Sequence, residues 1–415
     1  MRKPRSCLAR MLLLGSMAIA VCHQGVAVAA EKLKIEVRET AGIRRFGYPI
    51  ALALPDLPLA SADGHLRLRE DGKPVSAQFR QDQTGGDAGP WWLDFNISMM
   101  PHEIRNFVLE YGPDVMADPE PTGLVLEQTP NGLDIRNGNH LTWTLGRGPR
   151  DLLTSVNVAG VQHLRPVGTR LGIEGPHGLL DDLGDETRAP RIIRSGPLAV
   201  AIRYEFTPRT SELAETKSIV DLTFPVSKSW VQVDWRIDDV RQAVRSMHVE
   251  VAQNLDSPTE TEPTLIDFGA ASLVYMSLPA GTAGKLQAAP AATEPQTPAR
   301  QMWNVLRGNR NRLEPFTARP AVAGGDAEGW AHVMDRTRCL ALAVDGFGRG
   351  GDDSIETTAE GNVSIVRRFA ARETARAATK RLTFWLHFVG FPPHVTAATS
   401  PQSMLSPLVV RVSKL

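Results

Sequence analysis

Short runs in which apolar and polar residues alternate recur along almost the whole of this chain. A period of two is the strand's period, because successive side chains leave a β-strand on opposite faces. Leu33 to Val37, Ile50 to Leu54, Leu141 to Leu145, Leu198 to Phe206, Ile219 to Phe224, Met247 to Val251 and Val363 to Phe369 all read this way. Helical periods are scarce, and the best of them, Arg372 to Lys380, is short. The 35 glycines and 30 prolines are spread among the runs, so turns are frequent. A dozen or more strands with no helices between them predict an all-β, antiparallel fold.

The runs fall into two groups. Between residues 31 and 112 the sequence holds about six strands, a size suited to a small closed six-stranded barrel. Within it, Leu66 to Arg69 and Val75 to Phe79 flank Glu70-Asp71-Gly72-Lys73-Pro74, whose Asp-Gly pair is a hairpin signal. Gly112 to Thr122, with Pro113, Pro119 and Pro121, reads as a linker. Residues 123–415 then predict a large antiparallel β-sandwich, with Pro279 to Gln301, rich in Ala, Pro and Thr, as an exposed loop.

The first residues predict export. Arg2, Lys3, Arg5 and Arg10 precede an apolar stretch from Met11 to Val21, and Ala27-Val28-Ala29 is a small-residue cleavage pattern. Residues 1–29 therefore read as a signal peptide, and the protein is expected in the periplasm or outside the cell. Cys22 would suggest a lipid anchor, but Val21 stands where a small residue is needed. Cys339 is the one cysteine left after cleavage, so no intramolecular disulfide is expected; it lies in an apolar strand as a buried, inert thiol. The leader takes four of the 46 basic residues and no acid, leaving 42 against 46 acidic residues and a net charge of −4. Such a balance predicts no nucleic-acid or anionic-membrane partner, and no later run is long enough to span a membrane.

Three segments share one arrangement: Trp230-Val231-Gln232-Val233-Asp234, Trp330-Ala331-His332-Val333 and Trp385-Leu386-His387-Phe388. The apolar residues between read as core, which puts each tryptophan on the opposite face beside Gln232, His332 or His387. Flat rings beside polar groups suit a polysaccharide or oligosaccharide, so Trp230, Gln232, Trp330 and Trp385 are candidate sugar-binding residues. In Glu328 to Arg338, His332 is a candidate general base, and Arg336 or Arg338 could neutralise a substrate carboxylate. That pairing suits β-elimination from a uronate, whose ring proton is acidic only once the carboxylate is offset. His387 is a candidate second base. Plain alternatives stand beside each: a solvated sheet face for Trp230–Asp238, a surface hairpin for Asp335–Arg338, and a hydrogen-bonded core histidine for His387.

Other signals are weaker. His248 shares a strand face with Ser246 and Glu250 and could pair with Glu250, or serve structure alone. Tyr275 reads as packing. Asp181-Asp182-Leu183-Gly184-Asp185-Glu186 lacks the calcium-loop spacing and reads as a polar loop, as does Gly350-Gly351-Asp352-Asp353. There is no His/Cys zinc spacing, no Gly-x-Ser-x-Gly and no phosphate loop, so neither metal nor cofactor is expected.

Glu39 to Ile50, Asp71-Gly72-Lys73-Pro74-Val75 and Leu109-Glu110-Tyr111-Gly112 resemble the N-terminal barrel of the exo-rhamnogalacturonan lyase/YetA-like proteins. Asn131-Gly132-Leu133, Thr223-Phe224-Pro225 and Glu328 to His332 are similar in layout to the β-supersandwich that follows it there. The resemblance implies a polysaccharide-directed protein, with rhamnogalacturonan lyase activity as its sharpest form. Those enzymes carry a further C-terminal α/α toroid, whereas no helical period follows here before Leu415. A non-catalytic carbohydrate-binding protein is therefore the second expectation, and a structural or assembly protein of the envelope the third.

Overall fold

The computed structural model describes residues 31–54, 65–82, 89–180, 183, 190–208, 210, 213, 215–290, 301–316, 326–349, 351–369, 379–390 and 399–415. Among them the chain is almost entirely strand, with a single short α-helix, Thr399–Leu405. The strands make five antiparallel sheets of nine, eight, five, five and three strands.

The nine-stranded sheet is the central layer. Its strands run Arg191–Ser195, Ala199–Phe206, Lys217–Pro225, Trp230–Asp238, Thr379–Val389, Cys339–Val344, Trp330–Met334, Thr264–Gly269 and Leu273–Leu278. Alternation along Trp230–Asp238 sends Val231, Val233, Trp235 and Ile237 to one face, where each is fully buried. Leu382, Phe384, Leu386, Phe388, Leu340, Leu342, Ala331 and Val333 join them from neighbouring strands. Opposite lies the eight-stranded sheet, which contributes Met247, Val249, Val251, Val363, Ile365, Ile355, Leu286 and Val305 to the same core. A five-stranded sheet from Leu124 to Gln162 extends this core with Leu133, Ile135 and Trp143. The sandwich predicted for the longer part of the chain is therefore present.

The N-terminal unit differs from its expectation. Glu31–Arg38, Ile104–Tyr111, Leu66–Glu70 and Lys73–Val75 form one sheet; Arg45–Leu54, Trp91–Met99 and Ala77–Gln81 form another. The two pack face to face through Ile35, Leu68, Leu93 and Leu109, with the Phe95 and Phe107 rings 5.1 Å apart. No ladder joins them among the described residues, so the unit is an open two-layer sandwich and not a closed barrel. The Asp-Gly hairpin is as expected. Asp71 and Gly72 have φ of 48° and 76°, the paired left-handed geometry that matches strand twist, and Glu70 faces Lys73.

Two further expectations are corrected or fall outside view. Part of the expected loop is a strand, Thr282–Pro290, which pairs with Gln301–Asn309; residues 291–300 lie outside the described residues. The helical expectation at 372–380 falls mostly outside them too, although Thr379 and Lys380 open the strand Thr379–Val389.

The last strand, Val409–Lys414, returns to the N-terminal unit and pairs antiparallel with Glu31–Arg38. A buried ion pair secures this return. Arg45 reaches Glu39 at 3.0 Å and donates to the Ser403 and Ser406 carbonyls at 3.0 and 2.7 Å. Glu39 also accepts the backbone N–H groups of Ala41, Gly42 and His102. Burial works to raise the Glu39 pKa, but these bonds outweigh it and hold the carboxyl at about 2.

Because that pKa lies below its unfolded value, the stabilisation is complete above about pH 4.5 and is lost as pH falls towards about 2. Glu39→Gln is expected to cost about 3 kcal/mol at pH 7 by stranding Arg45, with a shallower acid decline of stability than the native chain, measured by urea unfolding at stepped pH. Phe384→Ala, in the middle of the central core, is expected to cost about 3–5 kcal/mol in the same assay.

Candidate functional site

The three tryptophan-led strands do lie in one sheet, and their polar faces coincide. Trp230 sits opposite His387, and Gln232 opposite Trp385. Trp385 and His387 then face Ala343 and Ala341, which face Trp330 and His332. The Trp230 and His387 rings are 5.8 Å apart, and those of Trp330 and His332 are 5.1 Å apart. Gly269 makes room for this, since a Cβ there would fall 2.1 Å from the Trp330 indole nitrogen.

This face is closed to a polymer. The N-terminal unit and the helix Thr399–Leu405 cover it: Trp230, Trp330 and Ala343 share a core with Tyr48, Phe95, Met404 and Leu408, and Trp385 packs against it. Exposure is 5% for Trp230, 2% for Trp330 and 1% for His332. Trp330 donates to Glu328 at 2.5 Å, and His332 Nδ1 lies 3.5 Å from Asp267. Burial, with the charge of Lys228 next, pushes His387 down to about 3, so its ring is neutral. The expectation that Trp230, Trp330 and Trp385 stack on sugar, with His332 and His387 as bases, is corrected on this ground. Trp230, Trp330 and His332 are interface core, with Trp385 and His387 half-buried beside them.

Arg336 and Arg338 are separated from the histidines as well. Both lie in the turn after Trp330–Met334. Arg336 is 74% exposed and pairs with Glu262; Arg338 reaches Asp256 and Asp335, each at 3.0 Å, and donates to the Gln162 carbonyl. The surface-hairpin alternative describes them. Of the predicted binding residues, Gln232 lines a cavity beside Trp92 and Thr223, and with Trp230 it also edges a small space of about 60 Å³ next to it.

The open polar surface is on the other side of the molecule, on the outer face of the eight-stranded sheet. Its strands run Gly178–Leu180, Leu164–Gly175, Ser246–Gln253, Asn362–Arg368, Asp352–Thr358, Thr282–Pro290, Gln301–Asn309 and Arg312–Pro315. Register brings Arg170, Glu250, Ser364, Glu356 and Lys285 into one row across five of these strands. The adjacent row holds Gly172 opposite His248, and the next Glu174 opposite Ser246. Two cavities of about 260 and 340 Å³ lie over these rows and share Arg170 and Glu250, which makes them one groove. Gly172 keeps it open, since its missing side chain would crowd Leu179 at 3.1 Å and His248 at 3.4 Å.

His248 is the groove's most constrained titratable group. Its Nε2 lies 2.7 Å from the Ser246 hydroxyl and 3.5 Å from Glu174, while that hydroxyl donates to Glu174 at 2.5 Å. With acceptors on that side, Nε2 carries the proton and Nδ1 is the basic nitrogen. Burial lowers the His248 pKa, against the pull of Glu174, so the ring is neutral at pH 7. The cavity lining adds Arg150, Arg170 and Arg310 beside Glu250 and Glu356, with Arg310 itself held by Glu360 at 3.3 Å. A neutral base among arginines can accept a proton from a ligand whose negative charge the arginines hold.

Sequence reasoning had placed Ser246, His248 and Glu250 on one face but missed Arg170, Glu174, Glu356 and Lys285. None of the three strands that carry them was read from the sequence, Lys285 falling within the expected loop, and their cross-strand partners come from distant segments. Tyr275, expected to pack, is instead 56% exposed on the edge strand Leu273–Leu278. Cys339 is buried, and burial pushes its thiol up and out of reactive range. Asp353 is bonded to Arg367 at 2.7 Å, and most of 181–186 lies outside the described residues. No helix among the described residues is long and apolar enough to cross a membrane.

No family model matches the sequence, and no curated protein does. Solved structures do match. An α-mannosidase from Enterococcus faecalis aligns over 92% of this chain and 46% of its own, with a TM-score of 0.54 at 12% identity. A glycosyl hydrolase family 38 protein from the same organism aligns over 92% and 47%, again with a TM-score of 0.54 and 12% identity. The chain thus spans less than half the length of these proteins. At such identity the likeness establishes the β-sandwich fold, and the resemblance to rhamnogalacturonan lyases stays an expectation of the sequence.

Proposed function

We propose that this is an exported carbohydrate-engaging protein whose ligand, a uronate-bearing glycan, lies in the groove on the eight-stranded sheet. The observation that carries this is the neutral His248, held through Nε2 by Ser246 and Glu174, in the row beside Arg170 and Glu250. The Arg170 guanidinium, exposed in the row beside His248, suits a sugar carboxylate, and the carboxylates and hydroxyls of Glu250, Glu356 and Ser364 suit sugar hydroxyls. Carbohydrate chemistry is also what the similar α-mannosidase and glycosyl hydrolase are known for by name.

The sharper form is β-elimination. Arg170 offsets the uronate carboxylate, and His248 Nδ1 takes the proton from the adjacent ring carbon. The electrons left behind form a carbon–carbon double bond as the bond to the glycosidic oxygen breaks, and that oxygen takes a proton from water. Binding without cleavage is the second reading. It asks only for the polar row of Arg170, Glu250, Ser364 and Glu356, and for no proton transfer by His248.

Incubation with rhamnogalacturonan and other uronate polymers is expected to raise absorbance in the unsaturated-uronate band; retention on the same immobilised polymers reports binding separately. Arg170→Ala is expected to lose both signals. His248→Ala is expected to retain binding while product formation falls by about 10²–10⁴-fold, the usual contribution of a positioned base. Retention with no absorbance change in the native protein selects the binding-only reading. Loss of neither signal in Arg170→Ala rejects the groove.

Since the base must be unprotonated, and its pKa is lowered in the fold, elimination is expected to persist at pH values below the ordinary imidazole range and to fail only on further acidification. A pH–rate profile falling already near pH 7 would contradict the role given to His248.

A further inference from the structure

A second cavity, of about 310 Å³, lies where the three-stranded sheet of the N-terminal unit meets the nine-stranded sheet. Asp82 and Trp92 line it from the first; Arg194, Thr223, Gln232 and Asp234 line it from the second. Its volume is at the small end of the range for ligand pockets, about 300–1,000 Å³.

Arg194 singles this cavity out. Its side chain is 6% exposed, and its nearest acid, Asp94, is 3.4 Å from Nη2, a long contact for a buried pair. Its Nε and Nη1 have no hydrogen-bond partner among the described residues. The guanidinium lies over the Trp92 ring, 4.3 Å from its centroid. The pairing with Asp94 is loose enough for a ligand's oxygen to share Nη2, which stands 3.4 Å from its acid.

The lining also limits what that ligand can be. Arg194 and Arg203 stand among Asp82, Asp221 and Asp234, and with Arg194 against Asp94 and Arg203 on Asp221 neither cation calls for an anionic ligand. Arg203 and Arg236 already bind Asp221, and Arg381 binds Asp234, so these acids do not call for a cationic ligand. What fits is a neutral molecule with several hydroxyls, which can accept from Arg194 and pair with the Gln232 amide and the Thr223 hydroxyl.

We propose that this cleft is a second ligand site, taking one neutral sugar ring and bridging the two units of the protein. The assignment rests on the cleft's own lining and not on the groove. A ligand held by both units stabilises the docked arrangement by mass action, so binding registers as a rise in melting temperature.

Calorimetric titration and thermal melts with D-mannose, D-galactose, L-rhamnose and D-glucuronate test this on the full chain. At least one neutral sugar is expected to bind and raise Tm, with glucuronate at least tenfold weaker. Trp92→Ala, and separately Gln232→Leu combined with Thr223→Val, are expected to weaken that binding at least tenfold. The second variant leaves the Arg194–Asp94 pair and the core alone, so it decides the matter if Trp92→Ala does not fold. Arg170→Ala, in the groove, is expected to leave it unchanged. Absence of any neutral-sugar binding, tighter binding of glucuronate, or survival of binding in the double variant overturns the proposal.

Discussion

The nine-stranded sheet is apolar on one face and, over its middle strands, aromatic on the other, and a sheet of that kind must be covered twice. Phe384, Leu386 and Phe388 are met by the eight-stranded sheet, and Trp230 and Trp330 by the N-terminal unit. The rest of the architecture follows from this double burial. The outer face of the eight-stranded sheet is left as a broad polar surface, and the groove is found there. The narrow space left where the N-terminal unit fails to cover the sheet completely becomes the cleft around Arg194 and Gln232.

The same constraint accounts for what could and could not be read from the residues. Alternation along Trp230–Asp238, Trp330–Met334 and Thr379–Val389 correctly separates the two faces, because it depends only on neighbours in sequence. That these strands share a sheet was also compatible with the pattern. Whether a face meets water or another layer is a different question, and it is settled by segments hundreds of residues away. A tryptophan beside a histidine has the same local appearance in a sugar platform and in an interface core. Tyr48 and Met404, which decide between the two here, carry no mark of that role in their own surroundings.

The groove shows the converse difficulty. Ser246, His248 and Glu250 form a legible trio, yet the histidine's character comes from Glu174, and its cationic partner is Arg170. Both arrive through the register with Leu164–Gly175, which contains an irregularity between Leu164 and Thr169. One residue of slip there would turn both side chains to the core face. Chemistry on an open sheet is in this sense a property of pairing, and the weakest-looking candidate in the sequence acquires the best-organised surroundings in the fold.

The return of Val409–Lys414 to Glu31–Arg38 has a consequence for how the protein comes into being. The edge of Glu31–Arg38 stays open until Val409–Lys414 has been made, and Arg45 and Glu39 wait with it for the Ser403 and Ser406 carbonyls. Contacts of such sequence separation form slowly. The sandwich from Leu124 onward can assemble around its own core while the N-terminal unit still has an open edge. The N-terminal unit, although its strands precede the sandwich in the chain, cannot complete its sheet before the sandwich strands have been made.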